Sequence, residues 1–206
     1  MGVAQATGSK AEQSLKTRRR LVSSATELFA RKGYRETSVQ DIADSAGISR
    51  GSIFWHFGSK EGLLWAVAEE LFARWELEVL VPEVGETTGI EAVRRSLDAH
   101  RTFLTGQTDA HRLFYVLMFE ALGPRADLAG EYARLHRHFR TLGAAWIARG
   151  VEDGSVRADV EPVTIAVAIV GALGGIAYQY LLDPAGVDLD RIYEALGRTL
   201  ERGLSK

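Results

Sequence analysis

Cysteine is absent from the 206 residues, which excludes disulfides, thiolate metal sites and cysteine nucleophiles together. Proline is scarce: Pro82, Pro124, Pro162 and Pro184 are the only four, so long stretches lack the residue that breaks helices. No segment reads convincingly as a strand, and none repeats. The opening Met1-Gly2-Val3-Ala4-Gln5-Ala6 lacks the apolar core of a secretory signal, and alanine at position 6 breaks the myristoylation pattern. The expected location is therefore the cytoplasm. Also missing are a Ser-His-Asp order, a phosphate-cradling glycine loop and a metal-ligand signature, so neither cofactor nor metal is expected. His136 and His138 stand two apart and would point to nearly opposite faces of a helix. These absences make an enzyme the weaker reading.

What is present is ordinary in bulk and uneven in placement. Hydrophobic residues make up 46% and charged residues 25%, enough for a soluble protein with a substantial core. The net charge of −2 hides an asymmetry: Met1 to Lys60 hold ten basic and five acidic residues, +5, so the remainder carries −2 − 5 = −7. A basic end on an acidic body points to a polyanion reached by one end only.

The spacing of apolar residues predicts an all-α chain of about nine helices. Residues 1–12, small and polar, read as a disordered tail; residues 13–60 form a three-helix unit; residues 61–206 form a larger helical body. Leu15, Leu21, Val22, Ala25, Leu28 and Phe29 give the first helix its stripe, from about Ser14 to Lys32. A long helix is expected from Ser59 to about Leu80, ended by a Pro82–Gly89 loop. Further helices are expected near 89–105, 109–122, 126–150, 162–182 and 188–203, with Gly106, Gly123-Pro124, Gly154 and Pro184-Ala185-Gly186 as stops. Val163 to Leu182 carry no charge, the length of a membrane span. Thr164, Gln179, two tyrosines and the lack of a flanking basic cluster argue instead for a helix buried in a soluble assembly.

Residues 34–64 carry the functional signal. Ser38 with Asp41 three residues on forms a capping-box-like start, followed by an apolar face of Val39, Ile42, Ala43 and Ala46. Gly47 suits a left-handed stop, Ile48 plugs the turn, and Ser49 caps a second short helix whose Ile53 and Phe57 face inward. Two short helices joined by a glycine turn are the pattern of a helix-turn-helix. Arg50, Gly51, Ser52, Phe54, Trp55 and His56 crowd the start and outer side of the second helix. Phe54 and Trp55 have two readings: contact with a ligand surface, or packing on neighbouring helices.

The run Thr37…Asp41-Ile42-Ala43…Ala46-Gly47-Ile48-Ser49-Arg50-Gly51-Ser52-Ile53-Phe54-Trp55-His56-Phe57…Ser59-Lys60-Glu61…Leu63 closely resembles the DNA-binding signature of the tetracycline-repressor (TetR) family. The resemblance covers about the first 65 residues; the rest is similar only in helix number, lengths and loop placement. It implies a sequence-specific DNA-binding regulator, a repressor released by an effector or else a ligand-responsive activator. Double-stranded DNA with a palindromic operator, a small apolar or aromatic effector and a second copy of the chain are the implied partners. By the same resemblance Gln40 reaches a base or phosphate, and Arg50, Gly51 and Ser52 occupy the base-reading start of the recognition helix. Trp55, His56 and Lys60 match phosphate-contacting positions, and Ser38 a helix-capping hydroxyl near the backbone. Phe54 stands where the family usually has tyrosine, so that hydroxyl contact is lost while the ring remains for a thymine methyl.

Dimerisation through the last two long helices is likewise implied by the resemblance. Gly171, Gly174 and Gly175 suit close helix approach there, with Leu189, Ile192, Tyr193, Leu196 and Leu200 at core spacing on the final helix. The middle of the chain is rich in aromatics: Phe72, Trp75, Phe103, Phe114, Tyr115, Phe119, Phe139, Trp146 and Tyr178 are the candidate effector-binding residues. Trp75 leads them, because the family commonly presents an aromatic to ligand near that point. An effector site should be mostly apolar with a few polar anchors, and His100, Arg101, His111 and Gln179 are the candidates for those.

Overall fold

The apolar spacing is realised in a computed structural model that describes residues 4–106, 108–122 and 126–206. Among the described residues every regular element is a helix: α1 (Ala4–Lys32), α2 (Val39–Ala46), α3 (Arg50–Phe57), α4 (Lys60–Trp75), a π-helical turn (Glu76–Leu80), α5 (Val81–Val84), α6 (Gly89–Gly106), α7 (Thr108–Ala121), α8 (Ala126–Asp153), α9 (Pro162–Leu182) and α10 (Leu189–Leu204). Because α4, the π turn and α5 follow one another without a break, these segments form nine separate rods. The expected stop at Gly123-Pro124 lies outside the described residues.

The chain divides into two compact units, Met1–Phe72 and Ala73–Lys206. The division falls inside α4 rather than after Lys60, because Leu63 and Leu64 in its first turns belong to the N-terminal unit's buried set. That set also includes Leu21, Val22, Ala25, Leu28, Phe29, Ile42, Ala43, Ala46 and Ile53. Leu15, expected on the same stripe, is exposed. The first helix also starts earlier than expected, at Ala4 instead of near Ser14. The intervening Ala, Gln, Lys and Glu residues favour helix, so a small, polar composition does not by itself specify a disordered tail.

In the C-terminal unit α6 packs against α5, α7, α8, α9 and α10, while α8 lies along α9. Val93, Leu97, Leu104, Ile147, Ala166, Ile169, Ala177, Leu181 and Tyr193 are among the core residues. Two features depart from the expected boundaries. Pro82 does not end the rod but sits in the first turn of α5, immediately after the π turn. There the Val81 N–H reaches back to the Glu76 carbonyl, and the widened turn makes room for the pyrrolidine ring that a regular ladder would reject. At the other departure, α8 runs on to Asp153 and is stopped by Gly154, at φ +81°.

The approach of α6 to α8 depends on two glycines. A Cβ built on Gly150 would lie 2.4 Å from Gly89 Cα and 2.7 Å from Val156 Cγ2. Gly130, also in α8, faces open space. Gly150→Ala is expected to lower stability by about 1–3 kcal/mol through overpacking. Gly130→Ala should be neutral or stabilise by up to about 1 kcal/mol through helix propensity. Thermal unfolding of the two variants beside the natural protein checks both signs.

Candidate nucleic-acid interface and effector site

The helix-turn-helix is assembled from local hydrogen bonds that its residue types demand. Ser38 caps α2: its Oγ accepts from the Asp41 N–H at 3.0 Å, and Asp41 Oδ2 accepts from the Ser38 N–H and from its hydroxyl, both at 2.8 Å. These bonds, with Lys32 and Lys60 as smaller influences, hold the Asp41 carboxyl below its ordinary value. Gly47 closes α2 in the left-handed region at φ +62°. The Gly47 N–H is shared between the Ala43 and Asp44 carbonyls, the Ile48 N–H donates to the Ala43 carbonyl, and the Ala46 carbonyl accepts from the Arg20 guanidinium on α1. Thr37, wholly buried, donates to the Gly33 carbonyl at 2.8 Å and closes the preceding turn.

At α3 the expected cap is not made. Ser49 occupies the N-cap position, but its hydroxyl makes no capping bond; Ser49 Oγ and Ser52 Oγ lie 3.1 Å apart and bond to each other. Both hydroxyls therefore sit at the start of the recognition helix, with Arg50 and Gly51 exposed between them. Phe54 is 46% and Trp55 75% exposed, which decides against their packing on neighbouring helices. Ile53 is buried instead, and Phe57 carries the Arg18 guanidinium over its ring. Trp55 meets His56 edge-on, ring centroids 4.5 Å apart. Burial, with Arg18 as the lesser cause, lowers His56 below its ordinary value, so at neutral pH it offers an uncharged imidazole.

Two further candidates are already engaged. Gln40 is exposed and its amide donates to Asp44 Oδ1 at 2.7 Å. Lys60 Nζ donates to the Tyr34 carbonyl at 2.6 Å and stands over the Tyr34 ring at 4.2 Å. Spacing alone did not reveal that Lys60 braces the turn after α1. The structural roles of Arg18 and Arg20 were missed in the same way, since a basic residue on a helix looks identical whether it faces a carbonyl or water.

The aromatic residues of the C-terminal unit fall into two groups. Trp75 stacks on Phe103 at 4.9 Å, with Phe139 at 5.6 Å, and His111 meets Phe103 at 4.5 Å. His100 joins this group, its Nδ1 2.6 Å from the Tyr193 hydroxyl. Trp75 Nε1 donates to the Ala99 carbonyl at 3.2 Å, so the indole's polar edge is anchored and its faces meet rings. In the second group Phe114 contacts Tyr115 and Tyr132, and Tyr178 lies between Tyr115 and the exposed Phe119. Tyr132 donates to the Phe114 carbonyl and Tyr115 to that of Gly174. Burial pushes Tyr115 up to about 12.

Trp146 is buried, and Phe72 belongs to the N-terminal unit. Of the suggested polar anchors, Arg101 pairs with Asp190 at 2.6 Å. Gln179 is exposed and donates to the Gly175 carbonyl. Only His100 and His111 lie among the rings.

Along α9, Val167, Ala168, Gly171, Gly175, Tyr178 and Leu182 are exposed at helical spacing. Gly171 and Gly175 face open space, whereas Gly174 faces Tyr115 within its own chain. The glycines open on the outer face are thus Gly171 and Gly175, and Gly174 is not one of them. By length and composition α9 would suffice to cross a membrane, a test that core and interface helices also pass.

Residues 21–67 match the family model for bacterial regulatory proteins of the tetR family, and residues 83–205 match that for the C-terminal part of BetI-type transcriptional repressors. The chain is 29% identical to the HTH-type transcriptional repressor KstR2 of Rhodococcus jostii over 184 residues, covering 85% of this chain and 84% of that one. Against KstR2 of Mycolicibacterium smegmatis it is 30% identical over 160 residues, 72% of each. The crystal structure of a TetR-family transcriptional regulator from Pectobacterium atrosepticum matches with a TM-score of 0.76 at 26% identity, over 94% of this chain and 96% of that one.

The capping box carries a pH dependence. Because Asp41 is held below its ordinary value when folded, its ionised form stabilises α2 above about pH 4. That contribution is lost as the pH falls further, through the folded value. Asp41→Asn should unfold more readily than the natural protein at neutral pH and show less additional loss on acidification. Hydrogen exchange of the α2 amides between pH 7 and pH 3 measures the difference.

Proposed function

Because the chain belongs to the TetR family of bacterial regulatory proteins and is a sequence-specific DNA-binding transcriptional regulator, we propose that it represses through α3 and is released by a small apolar or aromatic effector. The observation that carries the DNA-binding part is the exposure of Phe54 and Trp55 beside Arg50, Gly51 and Ser52 on one short helix. Burying large rings is worth kilocalories, so two left in water on a rigid helix mark a surface that is covered in the working complex.

Arg50, Gly51 and Ser52 read base edges in the major groove, and the Phe54 ring meets a thymine methyl. Trp55 donates its indole N–H to phosphate, and His56 its imidazole N–H. Lys60 adds positive charge while bracing the Tyr34 turn, Ser38 stands near the backbone, and Gln40 reaches a base or phosphate with the amide edge that Asp44 leaves open.

A second copy of the chain covers the α9 stripe, which accounts for a charge-free helix without a membrane. Twofold symmetry in the protein then requires a near-palindromic operator. The effector sits among Trp75, Phe103, Phe139 and Trp146, with Phe114, Tyr115, Phe119 and Tyr178 forming the outer part. The adjoining π turn supports this placement, since such turns recur at binding sites. Release follows from linkage: an effector that weakens operator binding tenfold binds the DNA-bound form tenfold less well.

Two experiments test the reading. In mobility shifts over a salt series, Trp55→Ala should weaken binding to all duplexes alike and reduce the salt dependence. Arg50→Ala should change which bases are preferred, costing about 1–3 kcal/mol at the affected position. Unchanged affinity and preference in both would remove α3 from the interface. Separately, Gly175→Leu should place a bulky side chain on the outer face of α9, with dimer and operator binding lost together in analytical ultracentrifugation and mobility shifts. Gly175→Ala should retain both.

A further inference from the structure

Two polar side chains on the outer side of α2 are tied to each other. The helix buries Ile42, Ala43 and Ala46, which leaves Gln40 and Asp44, one turn apart, exposed. Gln40 Nε2 donates to Asp44 Oδ1 at 2.7 Å. The other acid of this helix is used differently, since Asp41 serves the Ser38 cap and lies 3.8 Å from Lys32. Among the described residues the Asp44 carboxylate has Gln40 as its hydrogen-bond partner and makes no ion pair.

This pairing removes a choice that a glutamine normally keeps. A primary amide has an accepting end and a donating end, and a free side chain turns either one toward a partner. A carboxylate at neutral pH only accepts, so Asp44 holds the nitrogen end of Gln40 and never the oxygen end. Oε1 is thereby turned away from Asp44, and one N–H of the amide remains uncommitted.

In a helix-turn-helix the first helix crosses the DNA backbone while the second enters the major groove. An exposed pair on α2 therefore stands at the boundary between phosphates and base edges. Phosphate offers only acceptors and carries the same sign of charge as Asp44. It suits neither the outward oxygen nor the carboxylate behind it. Base edges differ among themselves: adenine N6 and cytosine N4 present amino hydrogens in the major groove, whereas guanine O6 and thymine O4 are acceptors.

Resting on the DNA-binding reading above, we propose that Asp44 is a positioning residue that turns the Gln40 oxygen outward, so that α2 selects a base bearing an amino group. Adenine N6 or cytosine N4 donates to Oε1. Guanine and thymine meet that oxygen acceptor to acceptor and are rejected. Adenine fits better than cytosine, because its N7 can take the remaining N–H of Gln40. A Gln–Asp pair that only steadied its own helix would affect melting and leave base preference untouched.

Selection from a pool of randomised duplexes with the full-length protein reads the preference out position by position. In each half-site the natural protein should favour adenine or cytosine over guanine and thymine by roughly tenfold at one position on one strand. Gln40→Ala should flatten that position alone. Asp44→Asn is isosteric, but its amide can accept from Gln40 or donate to it, so the oxygen is no longer held outward. In that variant guanine and thymine should be admitted at the same position. Thermal unfolding of both variants distinguishes altered preference in a folded protein from loss of the helix. The inference is overturned if the position that responds to Gln40→Ala favours guanine or thymine, if no position responds, or if Asp44→Asn keeps the natural preference. Where Arg50→Ala still alters other positions in those cases, the α3 reading stands and only the α2 inference falls. Absence of any enriched duplex rejects both.

Discussion

The guanidinium of Arg20 on the Ala46 carbonyl is the contact on which the reading head depends. A helix end leaves carbonyls without internal partners, and in α2 the left-handed Gly47 turn satisfies the carbonyl of Ala43 but not that of Ala46. Arg20 reaches across from α1 to supply the missing donor, fixing the turn from which α3 departs. Lys60 does the equivalent for the Tyr34 carbonyl on the other side of the unit. Both acceptors are neutral carbonyls, so these bonds do not themselves neutralise either cation. Each builds a turn and still contributes to the positive field of the N-terminal end.

Much of this unit was legible because its signals are local. Ser38, Asp41 and Gly47 specify a start and a stop within a few residues, and the inward Ile42, Ala43 and Ile53 follow from period alone. What escaped is what depends on partners distant in sequence or on competition between nearby ones. Ser49 looks like a cap, but Ser52 offers its hydroxyl a different partner. Lys60 is legible for its charge, and only the fold brings the Tyr34 carbonyl to it. Pro82 reads as a stop unless the widened turn before it is known. Gly174 and Gly175 are indistinguishable in composition, yet one faces Tyr115 and the other faces open space.

In the C-terminal unit the aromatic content was legible and its partition was not. Tyr115, Tyr132, Tyr193 and Trp75 place their polar atoms on backbone carbonyls or on His100, so their rings are left to pack against one another. A scaffold that satisfies its own polar edges leaves recognition of a guest to shape and to very few donors.

The uncovered stripe on α9 has a consequence for the cell's accounting of copies. A protomer that exposes Val167, Tyr178 and Leu182 to water has a stability that varies with the concentration of whatever covers them. During synthesis the stripe emerges after the N-terminal unit and helices α4 to α8, so those elements can pack before it is exposed. At low abundance, chains whose stripe is uncovered are the form that proteases meet first. If a second copy is what covers the stripe, as proposed above, selection on expression level and selection on the small residues Gly171 and Gly175 act on one quantity, the fraction of chains that find a partner before they are degraded.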